Sequence, residues 1–321
     1  MSDYMNKKVW LVGTGDMADE YVKVLSAMGI VPVVIGRGKE SAEIFGRKTG
    51  LHVISGGIES FLQTGPAKPD AVIIAVNVVN LARTAACVLE YCQAKILLEK
   101  PGAINTQDME ILASCKGSEN LFIAYNRRFF SSTQAVRNMI QEDGGPVSCL
   151  FEFTEWGHRI ESLCSQKDSC ELDHWLIANS SHVIDTAFFL AGIPSQISVT
   201  VTGALPWHKA GVAFSGSGLT SKGATFSYHA NWDAPGRWGI DIMSRNRRFR
   251  MCPMESVQVQ HKGETGWTSI ALQGELDQQF KPGLYAQVEA FFNPVPSPDL
   301  CRFEDHVRHF PVFQKIAGYR D

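Results

Sequence analysis

No stretch of this 321-residue chain approaches the roughly 18 unbroken apolar residues that a membrane-crossing helix requires, so no span is expected. Its eight cysteines, at 87, 92, 115, 149, 164, 170, 252 and 301, include no CxxC pair. That scatter suggests neither a zinc knuckle nor a disulfide framework. Reduced thiols are expected, with Cys164 and Cys170 in a polar loop. His, Cys and carboxylates nowhere cluster at ligand spacing, and no metal is expected. Neither sign of charge is in excess: 30 Lys plus Arg stand against 33 Asp plus Glu, leaving no global field to draw nucleic acid or an anionic membrane. The expected partner is a small molecule. Met1 to Lys8 is polar with no apolar secretory core behind it, so a cytoplasmic protein is expected.

What is present is ordinary for a soluble globular chain, with 45% apolar and 20% charged residues, and the length suggests two domains. The first half alternates strand and helix. Lys8–Gly13, Ile30–Ile35, Asp70–Val76, Lys95–Leu98 and Leu121–Ala124 read as buried strands. Helices are expected over residues 14–28, over 40–50 with Ala42, Ile44 and Phe45 on one face, over 79–92 and over 106–115. Such alternation predicts an α/β fold with a doubly wound parallel sheet.

At the first turn stands Gly13-Thr14-Gly15-Asp16-Met17-Ala18, the GxGxxA form of the dinucleotide fingerprint. Its glycines permit a tight turn and let a pyrophosphate approach backbone N–H groups at a helix start. The motif follows a strand and opens a helix, the context it requires. After the second strand comes Gly36-Arg37-Gly38-Lys39, with no acid before Glu40. An acid there holds the ribose 2′-hydroxyl of NAD, whereas an arginine accommodates the 2′-phosphate of NADP. Arg37 therefore points to NADP as preferred over NAD. Asn77, just past the third buried strand, and Glu99 complete the cofactor-binding candidates.

From Pro146 the period changes. Residues 147–156, 196–202, 224–232, 238–244, 247–251, 257–261 and 268–272 alternate as strands, with helices over 131–141, 179–191, 282–292 and 299–316. This predicts an α+β domain built on a large, mostly antiparallel open sheet, giving domains 1–126 and 127–321. An open sheet face suggests a homodimer or a dimer of dimers. Asn231-Trp232-Asp233 and Trp238 read either as a sugar-stacking surface or as packing, and Arg245–Arg250 as a solvated hairpin too short for nucleic acid.

Laid in order, Gly13–Ala18, Glu99-Lys100-Pro101, Tyr125-Asn126-Arg127-Arg128-Phe129 and His182-Val183-Ile184-Asp185 resemble the Gfo/Idh/MocA oxidoreductases, the glucose-fructose oxidoreductase and inositol 2-dehydrogenase family. The resemblance implies hydride transfer between nicotinamide and a hydroxyl or ketone carbon of a sugar, sugar derivative or cyclitol. It implies catalytic roles for Lys100 and His182, and a cis Lys100–Pro101 bond. An ammonium at Lys100 can stabilise charge on a substrate oxygen, and a histidine suits transfer of the hydroxyl proton. Asn179-Ser180-Ser181 should cap the helix that carries His182. Substrate-binding candidates are Tyr125, Asn126, Arg127, Arg128, Trp156 and Asp185, the arginines as bidentate donors to carboxylate or phosphate. Glu155 and His158 lie beside them.

One departure stands out: family members commonly carry an aspartate four residues before this histidine, and here that residue is Ala178. Asp173 or His174 could compensate, or the substrate could bind differently. Two other readings stay open. One is a reductase of an imine or linear tetrapyrrole; the other is an inactive nicotinamide-sensing regulatory protein.

Overall fold

A computed structural model describes residues 7–319, which gather into two units. The first runs up to Tyr125 and takes in Gln278–Arg308; the second comprises Asn126–Asp277 and the chain from His309 onward. The expected continuous domain 127–321 is thereby corrected: residues 278–308 return to the first unit.

In the first unit the order is β1 (Val9–Val12), α1 (Asp16–Ala27), β2 (Val33–Ile35), α2 (Lys39–Thr49), β3 (Val53–Ile54), α3 (Gly57–Gln63), β4 (Ala71–Ile74), α4 (Leu81–Tyr91), β5 (Lys95–Leu98), α5 (Thr106–Ser114) and β6 (Leu121–Ile123). Every residue of β1 and β4 is buried, as in strands covered on both faces. These six strands are parallel in the order β6-β5-β4-β1-β2-β3, and winding reverses between β1 and β4. Such a reversal opens a crevice at the strands' carboxyl ends. β3 and α3 escape sequence patterning because they span two and seven residues. Ile44 does not join Ala42 and Phe45 in the core but is 52% exposed.

At Gly13 the backbone has φ +130°, and a Cβ there would lie 2.1 Å from the Ala75 carbonyl oxygen. Only glycine lets β1 leave the sheet this close to β4.

The second unit holds α6 (Ser131–Glu142), β7 (Ser148–Phe153), α7 (Gly157–Leu163), α8 (Ser169–Asp173), α9 (Ser181–Ala191), β8 (Pro194–Thr202), β9 (Ala213–Thr220), β10 (Thr225–Asn231), β11 (Trp238–Met243), β12 (Arg247–Met251), β13 (Gln258–His261) and β14 (Thr268–Ser269). After these come α10 (Glu275–Gln279), then α11 (Leu284–Phe292) and β15 (Cys301–Arg302) of the first unit, and α12 (Phe303–Ala317), which begins in the first unit and ends in the second. β15 adds an antiparallel seventh strand beside β6.

The second sheet has eight strands in the order β14-β13-β12-β11-β7-β10-β9-β8, antiparallel except for the β7–β10 pair. One face is aromatic. Phe151 stacks on Tyr228 at 5.4 Å, and Phe188 of α9 meets Phe151 and Phe226 edge-on at 5.4 and 5.2 Å. The opposite face is mostly polar, with Ser198, Ser217 and Ser227 aligned in register across β8, β9 and β10 and an exposed Leu150 beside them on β7.

β9 falls outside the strands expected from the sequence, since half of AFSGSGLT is serine and glycine. Its glycines sit where the rings of β10 need room: a Cβ at Gly216 would lie 2.5 Å from the Tyr228 ring. Cys164 and Cys170 lie not in a loop but at the end of α7 and within α8. Asn179–Ser181 make no cap. A π-helical turn, Leu176–Ser180, runs straight into α9, and the Ser180 hydroxyl donates instead to Glu155 at 2.6 Å. Trp232 is core, stacked flat on Trp207 at 5.7 Å.

The basic hairpin is clamped rather than merely solvated. Arg247 donates to Asp143 through Nε at 2.8 Å, and Arg248 and Arg250 both donate to Asp241. The Arg247 guanidinium pulls the Asp143 carboxyl down to about 2. A carboxyl lowered in the fold stabilises above its unfolded pKa near 3.9 and ceases to do so as pH falls toward its folded value. Arg247→Met should therefore melt below the wild type at pH 6, with the gap closing by about pH 2; scanning calorimetry across that range measures it.

Candidate active site

Parallel register brings five sequence candidates to one edge of the first sheet. Val12, Ile35, Ile74, Leu98 and Ile123 align. Gly13, Arg37, Asn77, Lys100 and Tyr125 follow them at the carboxyl ends. At the reversal between β1 and β4, Gly15 precedes α1 in extended conformation and no side chain caps the helix. Nothing lies within 4 Å of where a Gly15 Cβ would stand. A bare helix start beside an open surface is what a pyrophosphate needs, so Gly13–Met17 fit that part of a dinucleotide. Arg37 lies in the exposed loop after β2 and donates to Asn80 Oδ1 at 3.3 Å. Residues 36–39 offer no carboxylate to an adenosine ribose.

Glu99 is buried at the end of β5. It accepts from the Tyr21 hydroxyl at 2.8 Å and from the Lys100 backbone N–H at 3.2 Å. Burial raises its carboxyl above the ordinary range, against the opposing pull of Tyr21 and Lys100. Lys100 follows directly, and the Lys100–Pro101 bond is cis, as the resemblance implied. Tyr125 is buried with its ring 5.7 Å from that of His306.

In the second unit, His182 is buried near the start of α9, its ring 6.3 Å from Trp238. The helical backbone already runs from Leu176, so His182 stands in the second turn and not at a free amino end. Asp173 is exposed, and His174 turns toward Tyr319 with ring centroids 5.1 Å apart. Glu155, at the end of β7, instead accepts from Asn179 Nδ2 at 3.0 Å and from Ser180, within the turn that carries Ala178.

Arg128 and Asp185 take each other. Arg128 Nε and Nη2 donate to Asp185 Oδ2 and Oδ1 at 2.8 and 2.6 Å, both side chains buried. Arg127 lies elsewhere, over the ring of Trp238 at 4.6 Å, and lines a cavity of about 360 Å³ with Glu155, Trp156, Trp175, Asn179 and Trp238. Trp156 is 47% exposed and donates to the Gly236 carbonyl at 3.1 Å. Three further residues of this cavity, Arg159, Arg237 and Glu255, carry no motif. The one sequence signal was Trp156-x-x-Arg159, a helical spacing hidden when residues 147–156 are read as one long strand.

No family model matches the chain, and no curated protein matches it. Solved structures do. An oxidoreductase from Agrobacterium radiobacter, determined with NAD+, L-tartaric acid and magnesium, is 15% identical over 96% of this chain and 94% of its own, with a TM-score of 0.77. UDP-N-acetylglucosamine 3-dehydrogenase from Acidithiobacillus ferrooxidans is 15% identical over 97% and 96%, with a TM-score of 0.74. The WlbA dehydrogenase from Chromobacterium violaceum, determined with NADH and UDP-GlcNAcA, is 14% identical over 99% and 95%, with a TM-score of 0.74. At such identity the likeness is one of fold: the chain has the two-sheet architecture of these oxidoreductases. The expected fold class, a doubly wound parallel sheet followed by a mostly antiparallel one, is the one found. Among the described residues, no helix is long and apolar enough to cross a membrane.

Proposed function

We propose that this chain is a nicotinamide-dependent oxidoreductase acting on a hydroxyl or ketone carbon of a sugar, sugar derivative or cyclitol. The observation that carries the reading is the placing of the uncapped Gly13–Gly15 turn and of Lys100 at the same sheet edge, the first beside the winding reversal and the second one strand beyond it, after β5. The oxidoreductases of like fold, determined with NAD+ or NADH, support it. Gly13–Met17, Arg37, Asn77 and Glu99 would hold the dinucleotide, and a nicotinamide bound there would supply the two-electron hydride chemistry.

The chain's own residues supply the rest. The Lys100 ammonium donates to the substrate oxygen and stabilises the negative charge that grows on it as the C–H bond is oxidised. His182 takes the hydroxyl proton in that direction and returns it in the other. Glu155 holds the turn before His182 through Asn179 and Ser180. Tyr125, Asn126, Arg127 and Trp156 are the substrate contacts. Arg128 and Asp185, which occupy each other, are structural in this reading. The open face of the second sheet, lined with serines on β8, β9 and β10, is where a second copy would dock.

NADP is the preferred cofactor on the strength of Arg37. Titration with NADPH and NADH, following tryptophan fluorescence, should show tighter binding of NADPH. Arg37→Ala should weaken NADPH alone by roughly ten- to hundredfold, the scale of a charge-assisted bond of about 1.5–3 kcal/mol. Equal affinities would remove the 2′-phosphate role from Arg37, and binding of neither would remove the enzyme reading.

A further inference from the structure

The cavity around Arg127 has an uneven supply of donors and acceptors. Arg127 Nε is buried without a hydrogen-bond partner, and so is Trp175 Nε1 on another part of the wall. No carboxylate lies within ion-pair distance of the Arg127 guanidinium among the described residues. Its neighbours are the rings of Trp238 and Phe130, at 4.6 and 5.6 Å. Arg127 is half-buried, and desolvation draws it down to about 10, more than Glu255 and Glu155 restore, so the group stays charged at neutral pH with no carboxylate paired to it. Glu155 is already engaged by Asn179 and Ser180, and Glu255 is exposed. Exposed Arg159 and Arg237 add two more cations, so three arginines face two glutamates in one cavity.

We propose that this cavity binds the anionic oxygens of an acidic sugar, a carboxylate or a phosphate ester, with Arg127 as the specificity-determining cation and Trp238 as the surface against which both lie. A guanidinium stacked on an indole has its N–H edge left to donate in plane, which suits a planar or branched oxyanion. Trp175 Nε1 adds a donor for a neighbouring acceptor atom. Arg128, its neighbour in sequence and equal in chemistry, is excluded because Asp185 already fills its fork. This inference rests on the oxidoreductase reading and narrows its substrate.

The test is isothermal titration of the full chain with D-glucuronate, D-glucose 6-phosphate and D-glucose, repeated with Arg127→Met and Arg127→Lys. At least one anionic sugar should bind about tenfold or more tightly than glucose, as befits one charge-assisted contact. That preference should vanish in Arg127→Met and survive in part in Arg127→Lys. Whether glucuronate or the phosphate leads identifies the anion. Equal binding of all three by the wild type, no binding of any, or a preference that persists in Arg127→Met overturns the proposal. The wild-type comparison needs no variant and stands even if Arg127→Met does not fold. NADPH titration on the same samples separates the two readings: lost cofactor binding counts against the enzyme, whereas retained binding with indifferent sugar selection counts only against Arg127.

Discussion

Lys100→Met should lower kcat by about 10²–10³ on any sugar the wild type turns over, while the Kd for NADPH stays within about twofold. The substitution keeps an unbranched side chain of nearly the same length and removes the charge. The glycine turn that would hold the pyrophosphate lies after β1, two strands from Lys100 on β5, so the cofactor has no need of the ammonium. Single-turnover kinetics with a fluorescence titration would check both halves. Activity that persists in the variant would deny Lys100 its catalytic role. Loss of activity with the cofactor still bound would exclude the inactive regulatory protein, for which Ala178 was the best sequence argument.

The second large effect is on stability. Removing one partner of the Arg128–Asp185 pair leaves a buried charge uncompensated, which costs about 3–5 kcal/mol. For a unit of this size Asp185→Leu should lower Tm by on the order of 10 °C. The guanidinium also lies over the Phe189 ring at 5.1 Å, so the loosened arginine would disturb α9, which carries both Asp185 and His182. Arg128→Met combined with Asp185→Leu should melt above either single variant, because two apolar side chains leave no orphaned charge. Thermal melts of the four proteins form the cycle. A single variant with unchanged Tm and a raised KM would return the pair to the substrate, as the sequence reading first had it.

That pair marks where the sequence stopped being legible. Fold class was readable because every parallel strand except the two-residue β3 is a largely apolar run, and because GTGDMA stands between one such run and a helix. The sheet edge that gathers Gly13, Arg37 and Lys100 follows from the same logic, since parallel strands all end on one side. Other features depend on partners distant in sequence. Arg127 and Arg128 are alike on paper, and only the location of Asp185, 57 residues on, separates the occupied cation from the available one. Ser180 reads as a cap until Glu155 claims its hydroxyl. β9 is invisible because its glycines are chosen for the rings of β10 and not for a strand.

The return of residues 278–308 to the first unit bears on synthesis. Lys95 Nζ donates to the Asn293 carbonyl, and β15 closes the sheet on β6, so the amino-terminal unit lacks its own edge until Cys301–Arg302 have left the ribosome. The intervening unit emerges while its predecessor is still unfinished. Nor can the second unit close ahead of the first, because it takes in the chain from His309 onward: each waits for a carboxyl-terminal segment, and the two are completed within a few residues of each other.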